Sequence, residues 1–337
     1  MAMKTNTTYF HLFATLLVIV LIGTSNFEVC NGALHGAALK LKFYEKTCPQ
    51  AQMIVKAVVE DNAGFDPFLG ALLLRMHYHD CFVRGCDGSI LLNPRSNTDE
   101  QVELQAEPNL SLLGFDVIDE IKTQVEEACP QTVSCADILA LAARDAISAP
   151  FGRQMWKVPL GRRDGRVSLA SEAIANLPSA SSNFSTLLNM FVRKSLNLID
   201  LVALSGAHTV GVAHCEKISR RFFNFTGKGD TDPSIDPIYA ESVKAHCSVN
   251  SKNIVEMDPR SSFSFDNHYY KNLIERRGLF ESDASLVTNT LSAKLVNRFQ
   301  DAGAFFAQFA KSMKKMGAMD VLTGEQGEIR KKCNQRN

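Results

Sequence analysis

The sequence predicts a mainly α-helical protein with at most one short β-hairpin. Three observations point there. Apolar residues recur at helical spacing along most of the 337 residues. The two-residue alternation of half-buried strands is scarce. No Pro/Gly/Ser-rich linker and no internal repeat divides the chain, so the helices are expected to build one large domain or two closely packed halves.

The first segment speaks to compartment. Lys4 precedes an uncharged apolar run over residues 12–22, followed by small and polar residues through Cys30, Asn31, Gly32 and Ala33. That run suits a signal-peptide core and falls short of the roughly 20 residues a membrane span needs. We expect a signal peptide over residues 1–33, cleavage between about Gly32 and Ala38, and a single domain over 38–337. With 36 basic against 36 acidic residues, the chain shows no nucleic-acid or membrane-surface footprint. Of nine cysteines, Cys30 leaves with the signal peptide and eight remain. An even set in an oxidising compartment reads as four disulfides, with 105 pairings open and only Cys81 with Cys86 suggested by proximity.

Residues 52–63 carry Ile54, Val55, Val58 and Val59 on one helical stripe. The next helix follows from Leu72, Leu73 and Met76 and runs to His79. It sets Arg75 and His79 four apart on one face, with His77 pointing elsewhere. An imidazole beside a fixed guanidinium can move a proton and stabilise charge developing on oxygen, as cleavage of an oxygen–oxygen bond requires. Equally, the pair is open to reading as a core histidine beside a surface arginine. Beyond His79, the ten residues from Asp80 to Ser89 alternate carboxylates, a hydroxyl and turn carbonyls in the manner of calcium ligands. A rival reading makes His79, Cys81, Cys86 and Asp87 a zinc site, but oxidised cysteines demote it.

Residues 115–128 carry Val117, Ile118, Ile121 and Val125 on a second stripe, and Ser134 to Asp137 reads as a capping box before an apolar helix. The hairpin, if present, falls near residues 158–167. Further helices are expected over 187–195, 201–208, 215–222, 267–276, 293–299 and 304–316. In the second of these, Asp200 caps an apolar helix that delivers His208 among small residues. A lone histidine there is ordinarily a core residue, yet Ser205, Gly206 and Ala207 leave room for a large flat group, and imidazole is a standard axial ligand of haem iron.

At this point the residues resemble a known family. The segment from Arg75 to Ser89 and the segment Leu204-Ser205-Gly206-Ala207-His208-Thr209 are similar to the distal and proximal motifs of the secreted plant haem peroxidases, class III. Supporting stretches are Val133 to Asp137, Val158 to Asp164, Phe265 to Tyr270 and Gly278 to Asp283. The resemblance covers about residue 38 to the C-terminus. It implies a haem-dependent peroxidase fold of about ten helices in two packed halves with haem b between them, one per chain.

The roles that follow are implied by that resemblance. His208 is the axial ligand of the haem iron and Asp283 takes its other ring proton. His79 moves the proton of hydrogen peroxide, Arg75 stabilises the departing oxygen, and Asn109 orients His79. The product is water and a ferryl intermediate, which small phenolic donors reduce in two one-electron steps. Two calcium ions are implied: a distal one on Asp80, Val83, Gly85, Asp87, Ser89 and, through water, Glu103, and a proximal one on Thr209, Asp258, Ser261, Ser264 and Asp266. Pro178 borders the substrate channel. The disulfides implied are Cys48 with Cys129, Cys81 with Cys86, Cys135 with Cys333 and Cys215 with Cys247. Asn183 and Asn224 lie in glycosylation sequons, as does Asn109, whose structural role argues against a sugar there.

The chain departs from the family pattern at several places. Tyr78 stands where phenylalanine is usual beside the distal histidine, Leu113 replaces a common arginine, Arg153-Gln154 replaces Gly-Pro, and Ser261 replaces threonine. Tyr78 adds a hydroxyl close to the peroxide site. A binding protein that had lost catalysis would be expected to lack Arg75, His79 or His208, and all three are present. We expect a monomer exported to the apoplast or cell wall, with no nucleic-acid partner and no membrane association after signal cleavage.

Overall fold

In chain order the helices are α1 (Ala51–Ala63), α2 (Leu69–Val83), α3 (Phe115–Ala128), α4 (Cys135–Ser148), α5 (Ala170–Asn176), α6 (Phe184–Arg193), α7 (Leu198–Ser205), α8 (Cys215–Phe223), α9 (Pro237–His246), α10 (His268–Ile274), α11 (Glu281–Ser285), α12 (Thr290–Arg298) and α13 (Ala302–Met316). The computed structural model describes residues 38–95, 101–248 and 251–337. The expected signal peptide therefore lies outside the described residues, with nearly all of its cleavage window. Among the described residues no helix is long and apolar enough to cross a membrane.

Two helix groups carry the architecture. In the first, α1, α2 and α3 pack on α4. All fourteen residues of α4 are buried, the charged ones, Asp137 and the Arg144–Asp145 pair, being bonded inside the protein. Its start obeys the sequence signal only in part: Ser134 Oγ accepts from the Asp137 amide at 3.1 Å. The Asp137 carboxylate does not return the bond. It instead takes the Tyr44 hydroxyl at 2.8 Å, the Gly161 amide at 2.6 Å and Arg162 Nη1 at 2.7 Å. In the second group, α7 packs against α6, α12 and α13, and α10 lies on α12. Most buried apolar side chains of both groups belong to one continuous core, and a smaller cluster gathers Ala213, Ile218, Phe222, Val243 and Met257 around α8 and α9. Four disulfides join Cys48–Cys129, Cys81–Cys86, Cys135–Cys333 and Cys215–Cys247, the pairing the resemblance implies.

Several expectations need correction. Thirteen α-helices are described rather than about ten. The additional ones are short or weakly striped: α9 buries only Ala240 and Val243 and is started by the Asp236 cap with Pro237 behind it. No hairpin forms over residues 158–167. That segment is extended, but its bridges run to distant partners, Lys40 to Leu160, Arg163 to Leu322 and Asp164 to Glu328. The two-stranded antiparallel sheet pairs β1 (Val212–His214) with β2 (Ile254–Glu256), Val212 opposite Glu256. Helix α2 does not stop at His79 but continues to Val83, so Asp80 and Cys81 are helical. Helix α7 is capped by Asn197, not Asp200. Asp200 is its third residue and completes the capping box, and the helix ends at Ser205, leaving His208 in a following 3-10 turn (Gly206–Thr209).

Arg162 is buried and spends its remaining donors on Pro159 O at 2.8 Å and Gly317 O. Replacing it with leucine leaves the Asp137 charge buried without its cation. Arg162→Leu is therefore expected to cost about 3–5 kcal/mol, read as a lowered denaturant midpoint under non-reducing conditions.

Candidate active site

Helix α2 brings the distal residues to one place. The His79 Nδ1 lies 2.6 Å from Asn109 Oδ1, and the same amide donates through Nδ2 to Glu103 O at 2.7 Å. That second bond fixes which end of the amide faces the imidazole. Oδ1 can only accept, so Nδ1 of His79 carries the proton and Nε2 is left with its lone pair. Burial, reinforced by the neighbouring Arg75 charge and opposed by the Asn109 bond, pushes His79 down to about 3, and the ring is neutral at ordinary pH. Arg75 is held from behind. Its Nη1 donates to Ser111 O at 3.2 Å and Ser111 Oγ at 3.1 Å, and Nη2 to Pro108 O at 2.9 Å. Burial lowers its pKa, with Tyr78 opposing. Tyr78 stands edge-on to His79 with ring centroids 5.6 Å apart, packs on Phe82, and has no hydrogen-bond partner among the described residues. Asn109 is fully buried with both amide ends engaged, which excludes a glycan there.

The proximal residues meet across a wider separation. His208 Nδ1 is 2.7 Å from Asp283 Oδ1, an oxygen that also accepts the Tyr269 hydroxyl at 2.9 Å, while Oδ2 accepts the Phe280 amide at 2.9 Å. Burial works to raise the Asp283 pKa, but His208 and the other donors outweigh it and hold the carboxyl below its ordinary value. The His208 side chain is 39% exposed against 2% for Asp283, so its accessible end is Nε2. An imidazole anchored by a carboxylate and open at Nε2 is the donor set of a haem axial ligand, and the residues fit that group. Pro178 lies two residues before Ala180, whose carbonyl accepts the Ser282 amide beside Asp283.

The distal cation residues converge in a way that fits an ion. Asp80 Oδ1, Ser89 Oγ and both carboxylate oxygens of Glu103 are buried without a hydrogen-bond partner. Native interiors rarely leave such atoms unpaired, and four oxygens from three residues of one predicted site are what a hard cation would take up. Asp80 Oδ2 and Asp87 Oδ1 are tied to the Gly88 and Ser89 amides at 3.0 Å each. Burial and the Asp87 charge raise Asp80 well above its ordinary value, and burial raises Asp87. Glu103 is pushed up to about 9 by burial, then by Asp80. Val83 O accepts Lys194 Nζ at 2.9 Å, and Gly85 sits at φ +95° with its would-be Cβ 2.5 Å from Asp320 O, a place only glycine can occupy. In the proximal set, Thr209 Oγ1 donates to Asp258 Oδ2 at 2.8 Å and Asp266 Oδ1 at 3.1 Å, and Ser261 Oγ bonds Asp266. Ser264 is exposed and joins this loop through its amide to Ser261 O.

The zinc reading fails. Cys81 and Cys86 are disulfide-bonded and offer no thiolate, and the imidazole facing them is His77, 3.6 Å from Cys81 Sγ, not His79. Sequence reasoning missed the supporting partners: Ser111 and Pro108 behind Arg75, Ser168 accepting the Glu103 amide at 3.0 Å, and His268 and Asn272 on Asp258 Oδ1 at 2.6 and 2.7 Å. Tyr269 was missed too, although it lies in the quoted Phe265 to Tyr270 stretch. Nothing in their spacing marks these residues, because each reaches its partner only through the fold.

A family model described as Peroxidase matches residues 52–302. The chain is 53% identical over 302 residues to Peroxidase 24 of Arabidopsis thaliana, covering 88% of this chain and 86% of that protein. It is 50% identical over 325 residues to Peroxidase 39 of the same plant, covering 95% and 97%. To Peroxidase 1 of Oryza sativa subsp. japonica it is 49% identical over 306 residues, covering 88% and 93%.

The raised Glu103 pKa makes a signed prediction for protein stripped of divalent ions. A carboxyl shifted from 4.5 to about 9 contributes stability that is fully present below 4.5 and lost as pH rises toward about 9. Melting temperatures of the stripped protein should fall across that window, and added calcium should flatten the dependence.

Proposed function

The chain belongs to the class III plant haem peroxidases, and we propose from that premise a secreted enzyme that reduces hydrogen peroxide to water and oxidises phenolic donors one electron at a time. The observation that carries this reading is the pair of anchored imidazoles, His79 on Asn109 and His208 on Asp283, each held at Nδ1 and free at Nε2. One haem b, which His208 would hold through Nε2, would supply the redox-active iron for peroxide reduction.

The chain's own residues do the rest. Neutral His79 accepts a proton at Nε2 from the near oxygen of peroxide and returns it to the far oxygen as that bond breaks, so the far oxygen leaves as water. The Arg75 guanidinium, preset by Ser111 and Pro108, stabilises the negative charge that builds on the departing oxygen. Two phenols then each give one electron and one proton, and the net change is one peroxide and two phenols to two waters and two phenoxyl radicals. Asn109 keeps His79 in the tautomer that leaves Nε2 basic, and Asp283 draws on the Nδ1 proton of His208, making the ligand more electron-donating. Tyr78, with an unpartnered hydroxyl beside His79, adds a hydrogen-bonding group on the peroxide side.

Two calcium ions complete the site in this reading. The distal one takes Asp80, Val83, Gly85, Asp87, Ser89 and Glu103, a choice supported by the orphaned buried oxygens. The proximal one takes Thr209, Asp258, Ser261, Ser264 and Asp266, supported by the convergence of Thr209 with the two aspartates. Pro178 borders the donor channel, and the enzyme acts as a monomer in the apoplast or cell wall.

The direct test is the absorption spectrum of the purified mature protein before and after one equivalent of hydrogen peroxide. A Soret band that loses intensity and recovers on adding a phenol supports the reading, and protein that takes up no haem overturns it. His79→Ala should lower the rate constant with peroxide by about 10²–10⁴ and Arg75→Leu by about 10²–10³, both by stopped flow. Because His79 works as a neutral base with its pKa near 3, that rate should be constant through neutral pH and fall as pH drops through about 3.

A further inference from the structure

Asp283 serves two donors with a single oxygen. His208 Nδ1 at 2.7 Å and the Tyr269 hydroxyl at 2.9 Å both reach Oδ1, while Oδ2 is left to the Phe280 amide. Tyr269 and Asp283 are each 2% exposed, so this sharing is decided inside the protein. The Tyr269 hydroxyl has no other partner among the described residues. Its ring is fixed at the first turn of α10, directly after His268, whose amide and Nδ1 are tied to Asp266 and Asp258 at 2.7 and 2.6 Å.

A second donor draws electron density from the oxygen it shares and makes it a weaker acceptor for the first. The bond so weakened is the one by which a carboxylate makes a ligating histidine more basic. We propose that Tyr269 is a positioning residue that moderates the electron donation of His208 by sharing Asp283 Oδ1, and so sets the reduction potential of the iron that His208 holds. The inference rests on the haem reading above. With the phenol removed, Oδ1 belongs to His208 alone, the Nδ1 proton is drawn further toward the carboxylate, and Nε2 donates more strongly.

The competing account is that the phenol merely finds an acceptor for a buried hydroxyl. Tyr270 separates the two. It is the adjacent residue, fully buried, and its hydroxyl donates to Val202 O of α7 at 3.0 Å, away from the His208 pair.

The experiment uses the haem-loaded enzyme as wild type, Tyr269→Phe and Tyr270→Phe, with Tyr269→Leu as a second phenol-free form should the first not fold. Measured are the ferric/ferrous midpoint potential, the iron–histidine stretch of the ferrous protein by resonance Raman, and the melting temperature. The expected result is a more negative midpoint and a higher stretching frequency for Tyr269→Phe, with Tyr270→Phe changing only the melting temperature. A wild-type midpoint and stretch in the phenol-free protein overturn the inference, as does an equal shift in Tyr270→Phe. Those outcomes leave the peroxidase reading standing, whereas wild-type protein that takes up no haem overturns both.

Discussion

Each imidazole of the site is held at Nδ1 by a buried acceptor, and the remainder of the structure follows from keeping those two acceptors in place. A histidine free to turn or to change tautomer has no defined chemistry at Nε2. For His79 the acceptor is the neutral amide of Asn109, itself oriented by the Glu103 carbonyl. For His208 it is the charged Asp283, surrounded by donors. The difference suits the two positions. Under the proposed function, a neutral acceptor would leave His79 a modest base that can give its proton back, while an anionic one would make His208 a stronger electron donor.

Both anchors lead outward to oxygen-rich loops. Glu103 holds Asn109 through its backbone carbonyl and faces the Asp80–Asp87 cluster with its carboxylate, and Asp80 follows His79 directly in α2. Thr209 follows His208 and reaches Asp258 and Asp266. Carboxylates buried so close together carry a large desolvation and repulsion cost, which a divalent cation converts into cohesion. Arg330, whose charge acts on Asp80 and Asp87, donates to the carbonyls of Gly88, Gly165 and Cys333. Under the proposed function, the two ions would fasten the two histidine-bearing segments.

How far the molecule was legible depends on the range of each interaction. The helix over residues 115–128 is found at those residues, because Val117, Ile118, Ile121 and Val125 form an unbroken stripe. Arg75 and His79 were readable as a pair because they stand four apart on α2. By contrast, the 158–167 segment reads as extended, but its partners, Lys40, Leu322 and Glu328, are remote in sequence, and nothing local distinguishes them from a hairpin. His208 leaves the α-helical path because the chain tightens into a 3-10 turn at Gly206, where a side chain would collide with Tyr270 and Phe305. Asn109 behind His79 and Asp283 behind His208 came only with the family resemblance, since no spacing rule joins residues 30 or 75 positions apart.

By itself the sequence determined what is written in short-range periodicity and composition: a helical chain, an oxidised set of eight cysteines, a helix presenting Arg75 and His79, and a liganding loop beyond it. These depend on residues within one or two turns of each other, so the chain carries them whatever its remote partners do. Only the tertiary structure decided which end of the Asn109 amide faces His79, that Tyr269 shares Asp283 with His208, and that Asp137 gathers Tyr44, Gly161 and Arg162 instead of closing its own capping box. Each of those is a choice among several chemically adequate partners, and it is settled by which of them the packing of the two helix groups brings within hydrogen-bonding reach.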